Sequence, residues 1–526
     1  VLACAVLGGI LQYAPAEERA PSGRPNVILI TIDNHNTSVL SLAGNRLVET
    51  PNIDRLAREG VFFSNYHVAS RCSPSRAAML TGRYHLRSGA IGTGDARSTM
   101  GSLDQPTIAD RFQEAGYQTG MFGKWHLGAN TPFLPENRGF AEVVSYGRDS
   151  STLPHVIGGG GKAATKHKFR HNGRWEVFDG YRTDVWFNEL SRFVRENRER
   201  PFFAYLATWS THGPNQGPAG LSEKYRGKLT DLGDAAWSAF DSNEKRDNFL
   251  ELAAEMEVID RNIGRLLELL DELGLRENTI VVYTSDGSGA ASPPRLISEK
   301  AAKYPSACPA IISWPSGGLA DGTEITELIA NIDMAPTFLD LCGITPSRKT
   351  DFDGQSAYGL LHAAGSPWRQ RVYIADHQSK TGDRRVVLHP LDDTTVYMPQ
   401  GAVHFVDGEA KGASPALEAR ARQHWEAWWK DVTSDFQPYQ YAVVGTRDEN
   451  PVFLQQAYPE SAVSKTPKRY VMPVEFARDG TYVFVAPYDD PSTAETISKG
   501  VPRSKGHLMI DDVRHEGDFP MTIQLE

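Results

Sequence analysis

Asn26 to Ile32 (NVILITI) is a largely apolar run that starts after Pro25 and stops at Asp33. A run bounded in this way predicts a strand buried on both faces, as in the middle of a parallel sheet. Pro201 to Thr208 (PFFAYLAT) and Asn278 to Ser285 (NTIVVYTS) repeat the pattern, and Tyr117 to Phe122 reads as a shorter strand. Between these runs the apolar spacing changes to a helical one. Thr50 to Gly60 has Pro51 just inside its start and Gly60 as its stop, the usual punctuation of a helix. Gln105 to Gly116 repeats that logic, with Ile108, Phe112 and Ala115 on one face. Thr183 to Asn197 turns Trp186, Leu190, Phe193 and Val194 inward, and Asn248 to Leu273 carries Leu252, Met256, Ile259, Ile263, Leu266 and Leu270. Strands alternating with helices predict an α/β fold, a large mostly parallel sheet sandwiched by helices.

The polar residues that follow these strands are Asp33, Lys124, His126, His212 and Asp286. Each comes at or just after a strand's carboxyl end, the edge at which open α/β sheets bind ligands. Singly, such an aspartate is most often a turn residue and such a histidine a hydrogen-bonded loop residue. Their convergence on one edge is the informative observation.

The character changes after about residue 375. Glu418 to Lys430 reads as a helix rich in tryptophan (Trp425, Trp428, Trp429), and short alternating strands such as Gly480 to Ala486 follow from Gln437 onward. The expected organisation is residues 1–24 as a signal-peptide remnant, 25–375 as a catalytic domain, 376–436 as a linking segment, and 437–526 as a smaller antiparallel β domain. Gly158 to Gly161 is a four-glycine run, expected to be a mobile loop at the mouth of the site. It lacks the strand-to-helix context of a phosphate cradle.

The chain has 526 residues, of which 23% are charged and 40% hydrophobic, an ordinary balance for a globular protein. Its net charge of −10 argues against nucleic acid as a partner. If the ligand is anionic, the chain must concentrate cations where it binds. Four cysteines (Cys4, Cys72, Cys308, Cys342) are too scattered for a disulfide framework; Cys308 and Cys342 read as two buried thiols in preference to a bridge. Val1 to Ala14 is apolar and uncharged and too short to span a bilayer as a helix. It reads as the remnant of a secretory signal, and predicts export to the periplasm or outside the cell. Val1-Leu2-Ala3-Cys4 has the letters of a lipobox, but most of the apolar run follows the cysteine, so a lipid anchor is the weaker reading.

One segment names a chemistry. Cys72-Ser73-Pro74-Ser75-Arg76-Ala77-Ala78-Met79-Leu80-Thr81-Gly82-Arg83 resembles the maturation signature of type I sulfatases, members of the alkaline phosphatase superfamily. Further segments resemble that family in the same order: Arg24 to Leu29, Thr50 to Asp54, Gly123 to Gly128, Pro201 to Phe203, Thr211 to Pro214, Asn278 to Asp286, Asp333 to Thr337 and Asp353 to Ser356. The resemblance covers roughly Arg24 to Leu361.

The resemblance implies an arylsulfatase-like sulfuric ester hydrolase with an alkaline-phosphatase-like fold. It implies that a maturation enzyme reading Cys-x-Pro-x-Arg oxidises Cys72 to formylglycine (3-oxoalanine). One hydroxyl of the hydrated aldehyde would attack sulfur. The other would then lose its proton and expel sulfate, which divides one hard step into two. Before folding, Pro74 is expected to keep Ser73 out of the α region, so that the segment is presented extended to the maturation enzyme. A calcium ion is implied, with Asp33, Asn34, Asp286 and residue 72 as metal ligands. Arg76, Lys124 and His126 would steady the diol and the sulfate, His212 would serve as general acid, and Lys300 would stand at the leaving group. The implied substrate is a sulfated small molecule or glycan.

The chain departs from the family pattern in three places. Asn34 replaces the second aspartate of the usual Asp-Asp pair, Gly287 follows Asp286 where the family has asparagine or histidine, and Tyr304-Pro305-Ser306-Ala307-Cys308-Pro309 replaces the usual glycine- and arginine-containing segment after Lys300. A water or Ser288 would have to fill the vacancy at 287. These changes keep two alternatives open: a sulfatase-fold protein that binds sulfated glycans without turnover, and a phosphonate or phosphate ester hydrolase.

Overall fold

The computed structural model of the chain describes residues 23–69, 71–90, 92, 100, 105–128, 133–145, 165–287, 289, 296, 307–346, 351–363, 365–378, 384–391, 394–399, 404–405, 414–434, 442–444, 474–476, 480–484, 505–510, 513–518 and 521–525. The signal-like start, Cys4, Gly158 to Gly161, Ser288, Lys300 and Tyr304 to Ser306 lie outside the described residues.

Among the described residues eleven strands form one mixed sheet: β1 (Asn26–Ile32), β2 (Val61–His67), β3 (Gln118–Gly123), β4 (Glu142–Ser145), β5 (Lys166–His171), β6 (Arg174–Asp179), β7 (Phe202–Ala207), β8 (Thr279–Ser285), β9 (Ala307–Ser313), β10 (Thr323–Ile325) and β11 (Ile329–Ala330). Their order is β10-β2-β9-β8-β1-β7-β3-β4-β5-β6, with β11 also on β2. The centre, β8-β1-β7-β3-β4, is parallel, and antiparallel pairs flank it at β8·β9, β9·β2, β4·β5 and β5·β6.

The continuous apolar run of β1 follows from its place at the centre. Ile28, Ile30 and Ile32 enter one core, whereas Val27 and Leu29 enter the other. The first core is closed by α1 (Pro51–Arg58), α4 (Arg182–Glu196), α5 (Leu221–Asp231), α6 (Asp234–Trp237) and α7 (Asn243–Glu272). The second is closed by α2 (Cys72–Thr81), α3 (Ile108–Glu114) and the helix Met334–Leu341. All six stripe residues expected on α7 are buried. Helix α1 starts at Pro51, but Thr50 does not cap it through its side chain. Buried Asp260, on α7, accepts from Asn52 N at 2.9 Å and Ile53 N at 2.8 Å, so the exposed amides of α1 are satisfied from a distant helix. Cys308 and Cys342 are buried free thiols. Among the described residues no helix is long and apolar enough to cross a membrane.

Beyond the main sheet, Tyr373–Gln378, Arg384–Leu391, Thr394–Pro399 and His404–Phe405 form a four-stranded antiparallel sheet. The segment 376–436, expected as a link, therefore carries most of a sheet and the tryptophan-rich helix, which spans Pro415–Val432. Ala421, Trp428 and Val432 of that helix pack with Ile374, Leu388 and Val396 of the sheet and with Leu86, which follows α2 in the chain. Arg87 binds across the same junction. Its Nε donates to Asp353 Oδ2 at 3.0 Å, its Nη1 to Asp431 O at 3.0 Å, and its Nη2 to the Asp431 carboxylate. Among the described residues three strand pairs follow; Ala442–Val444 with Val474–Phe476 is parallel, a correction to the antiparallel expectation, and the other two are antiparallel.

Just past β1, His35 is fully buried. Its Nδ1 faces Asn36 O at 3.1 Å and its Nε2 faces the Tyr283 hydroxyl at 2.8 Å. A carbonyl only accepts, so Nδ1 carries the proton and Nε2 accepts from Tyr283, which defines a neutral ring. Burial pulls its pKa down to about 4.

Two outcomes follow from these contacts. Arg87→Ala should destabilise the protein by about 3 kcal/mol by leaving Asp353 without its partner, read as a lowered thermal midpoint. For His35, the unfolded state takes a proton near pH 6.5 and the folded state only near pH 4, so the unfolded state binds more protons between them and stability falls as pH drops through that window. Asp260, pushed up to about 6 by burial, acts with the opposite sign, so the comparison is with His35→Gln. Relative to that variant the wild type should lose about 3 kcal/mol between pH 7 and pH 4, measured by urea unfolding at each pH; parallel profiles would refute the neutral-ring assignment.

Candidate active site

The sheet order brings the strand ends together. Ile32 of β1 is in register with Ser285 of β8, so Asp33 and Asp286 leave the sheet side by side. Backbone bonds lock the exit: Asp286 N donates to Ile32 O at 3.1 Å, and Asn34 N donates to Asp286 Oδ1 at 3.1 Å. The loop after β7 is joined to β1 in the same way. Asp33 N donates to Ser210 O at 3.0 Å and Thr211 N to Asp33 O at 2.8 Å. Gly123 ends β3 at φ +112°, where a Cβ would lie 2.0 Å from Ala207 O. Only glycine permits that approach, which lets Lys124 N donate to Ala207 O at 2.8 Å.

Cys72 is the first residue of α2, directly after extended Arg71, and every residue of this helix is buried. Ser73 is helical in the folded chain, so the extended form expected at Pro74 belongs to the segment before folding. Pro74 falls in the first turn, where helix amides have no partner within the helix, so the missing N–H costs nothing. One turn on from Cys72, Arg76 turns its Nε and Nη2 to Asp286 Oδ2, each at 2.7 Å. Its Nη1 donates to Lys124 O at 2.7 Å and to the Tyr205 hydroxyl at 3.2 Å. Lys124 Nζ donates to Asp33 Oδ2 at 2.6 Å. These are two fully buried ion pairs.

A Cys72 Sγ and one carboxylate oxygen each of Asp33 and Asp286 all lie within 4.8 Å of one another. Asp33 Oδ1 is buried with no hydrogen-bond donor among the described residues. Burial pushes the Asp33 carboxyl up, but Lys124, His212 and Arg76 outweigh it and hold it below its ordinary range. Burial wins at Asp286, which is raised despite Arg76. The Cys72 thiol is pushed up to about 12 by burial, with Asp33 and Asp286 adding to the effect. At neutral pH it is therefore protonated and a poor nucleophile as a thiol.

Of the other expected site residues, His126 is buried two positions after Lys124, with φ +60°. Asn34 has φ +76°. Non-glycine residues in this region carry local strain, and such residues cluster at functional sites. His212 lies half-buried on the loop after β7, near enough for its charge to act on Asp33. Its Nδ1 faces Gly213 O at 2.8 Å. Lys300 lies outside the described residues.

The two departures at Asn34 and Gly287 meet in space. Asn34 Oδ1 accepts from Gly289 N at 3.1 Å. A Cβ on Gly287 would lie 3.0 Å from that oxygen, and one on Gly289 only 2.1 Å from it. The Asn34 amide thus covers the space that side chains at 287 and 289 would need. Tyr205 and Asn331 were not singled out in the sequence. Tyr205 supports Arg76 from inside β7; its hydroxyl is the one polar group of the FFAYLA strand side chains. Asn331 Nδ2 donates to Ser75 O at 3.0 Å, and its Oδ1 accepts from the Tyr373 hydroxyl at 3.0 Å. A lone asparagine after a two-residue strand carries no sequence signal for that role.

With this geometry in place, comparison with known proteins is direct. The sulfatase family model matches residues 25–344. The chain is 28% identical over 446 residues to the N-acetylglucosamine-6-O-sulfatase of Bacteroides thetaiotaomicron, covering 68% of this chain and 75% of that one. It is 30% identical over 368 residues to the human N-acetylgalactosamine-6-sulfatase, covering 63% of this chain but only 64% of that one. Among solved structures, Ps i-CgsB in complex with k-i-k-neocarrahexaose matches with a TM-score of 0.62 at 24% identity, over 79% of this chain and 94% of that one; this shows the fold alone. The chain belongs to the type I sulfatases, the sulfuric ester hydrolases of the alkaline phosphatase superfamily.

Proposed function

We propose that this protein hydrolyses sulfate esters on a sulfated glycan, with residue 72 working as formylglycine beside a bound calcium ion. The observation that carries the reading is the joint burial of Cys72 with Asp33 and Asp286, their ligand atoms within 4.8 Å of one another. The names of the relatives, sulfatases of N-acetylglucosamine and N-acetylgalactosamine, support a sugar sulfate as the substrate class.

The residues present fit a calcium ion. Two buried carboxylates and the undonated Asp33 Oδ1 make a hard oxygen set of the kind calcium takes. A thiol is a soft ligand and suits it poorly, whereas a hydrated aldehyde at residue 72 would offer oxygen. Asp33, Asp286 and residue 72 would hold the ion, and the Asn34 amide oxygen, already accepting from Gly289 N, has a second lone pair. Bound there, calcium would draw charge from sulfate oxygens and favour an ionised hydroxyl at residue 72.

Formylglycine at residue 72 would supply one hydroxyl to attack sulfur and a second whose proton loss releases sulfate. The net reaction consumes one water and yields the alcohol, sulfate and a proton. Arg76 keeps Asp286 placed under the nucleophile, and Lys124 does the same for Asp33. Lys124 and His126 would steady the diol. His212, half-buried on the loop beside Asp33, would protonate the leaving alcohol.

A second reading, a glycan binder without turnover, is favoured by Gly287, which offers no side-chain ligand where the family has one. Peptide mass spectrometry across residues 71–83, after co-expression with a maturation enzyme, should find the aldehyde at residue 72. The same protein should turn over 4-nitrophenyl sulfate, and Cys72→Ala should abolish this. Wild-type turnover no better than Cys72→Ala across sulfate and phosphate esters would establish the binding reading instead. For the ion, Asp33→Asn should weaken calcium binding and Asn34→Asp should tighten it about tenfold, since affinity follows ligand charge. Calorimetry reads both, and affinity unmoved by either change would refute this cradle.

A further inference from the structure

The far edge of the main sheet carries a surface that the hydrolytic site does not use. Among the described residues, the exposed large hydrophobic side chains are Trp175 (40%), Val177 (56%) and Tyr358 (43%). The first two sit two positions apart on β6, the outermost strand. Arg170 pairs with Trp175, Lys168 with Val177, and Lys166 with Asp179 across the β5–β6 hairpin. Paired residues of antiparallel strands share a face, so Lys166, Lys168 and Arg170 lie on one face with Trp175 and Val177. Lys168 Nζ stands 5.6 Å from the centre of the Trp175 ring. The acid on this face is Asp179, a loose 3.7 Å from Lys166. Arg170 is buried, whereas Lys166 and Lys168 are exposed; in a chain of net charge −10, these two lysines are a local concentration of cations beside an exposed indole.

The hairpin also stands in the right place. Gly123 of β3 is level with Ser145 of β4, and Ser145 is level with Arg170 of β5. Because β5 runs antiparallel, Lys168 and Lys166 continue past the carboxyl edge from which Lys124 emerges, roughly 10 Å to the side of β3, two strand spacings away. The opposite face of the hairpin is buried through Phe169 against Trp186 of α4. The exposed face therefore lies on the side of the sheet where α2 packs. The chain then passes through Gly180 to Tyr181, whose hydroxyl donates to Gln216 O at 3.1 Å, on the loop that carries His212. Protection of a sheet edge accounts for Arg174, Glu176 and Asp179 on β6 but not for Trp175 and Val177, since protection keeps large apolar groups off the outermost strand.

We propose that the open end of the β5–β6 hairpin is a secondary binding surface for a sulfated polysaccharide. Trp175 packs flat against a sugar ring, and Lys166 and Lys168 pair with sulfate groups on neighbouring units. An indole offers a large rigid apolar face at low entropic cost, and lysines supply the charge that a polyanion seeks. The choice of a sulfated glycan rests on the function proposed above; the surface itself does not.

Affinity electrophoresis of Trp175→Ala/Lys168→Ala, Lys166→Glu and wild type, in gels containing dextran sulfate, dextran or polyphosphate, tests this. Wild type should be retarded by dextran sulfate well above dextran, and the double variant should bind dextran sulfate about tenfold more weakly. Its thermal midpoint and its turnover of 4-nitrophenyl sulfate should stay unchanged. Lys166→Glu should weaken dextran sulfate binding too. Unchanged retardation in the variants overturns the proposal. So does equal retardation of wild type by polyphosphate that is indifferent to Trp175, which marks a bare charge patch. Repeating the gels on a Cys72→Ala background separates this result from the hydrolytic one, because binding is then read whether or not the protein turns over sulfate.

Discussion

Two carboxylates buried side by side constrain everything around them. Asp33 and Asp286 approach within 4.8 Å through their ligand oxygens, and at an effective dielectric near 20 two such charges repel by about 3 kcal/mol or more. Each is met by one buried cation at hydrogen-bond distance, Lys124 for Asp33 and Arg76 for Asp286. The cations come from different elements, β3 and α2, and the two carboxylates from β1 and β8. Removing either cation would leave an uncompensated buried charge, the costly case for such pairs. The cluster therefore requires that β8, β1, β7 and β3 be neighbours in that order and that α2 lie over their ends. The contact of Arg76 Nη1 with Lys124 O ties the two halves together, so helix and sheet cannot shift independently.

What the sequence revealed and what it hid divide along a physical line. β1, β7 and β8 were legible because burial on both faces forces a continuous apolar run, and α7 because one buried face forces a helical stripe. Asp33, Lys124, His212 and Asp286 were legible because strand ends in such a sheet point to a common edge. Residues that act across long separations carried no such signal. Asp260 caps α1 from 207 positions away through Ile53 N, and Tyr205 looks like any other member of an apolar strand. Pro74 argued for extended backbone before folding through a local steric rule, whereas in the folded chain α2 needs only that its proline fall in the first turn. The sheet beginning at Tyr373 was hidden for a similar reason. Its strands bury residues such as Leu388 and Val396 against a helix that starts only at Pro415.

Asn34 and the glycines at 287 and 289 illustrate how departures from a family pattern become coupled. Read separately, each subtracts a ligand or a charge. In the fold they are one arrangement, because the left-handed backbone at Asn34 lays its amide over the loop and the glycines make room for it. A single reversion at 287 would meet the Asn34 oxygen at 3.0 Å, so the Asn34 side chain would have to give way to admit it. The cradle then depends on fewer and less charged side chains, and more of the burden falls on Asp33 and Asp286.

That burden bears on how an acidic protein handles an acidic substrate. Lys124 and Arg76 are each engaged with an aspartate at 2.6–2.7 Å, so the four formal charges at the floor of the site cancel. Side chains alone leave no net attraction there for a sulfate, despite two cations within reach of it. On the proposed reading the excess charge comes from a divalent ion, which would also draw the raised Asp286 carboxyl back down. Attraction over longer range has to come from cations that no carboxylate neutralises. Screening limits that range to about 8 Å at physiological salt, so such cations act only if they stand near the rim. Lys168, carried past the carboxyl edge by the register of β5, meets that requirement, and Lys166, held only loosely by Asp179 at 3.7 Å, meets it in part, whereas cations paired closely with acids on the outer helices, such as Lys224 with Glu257, do not.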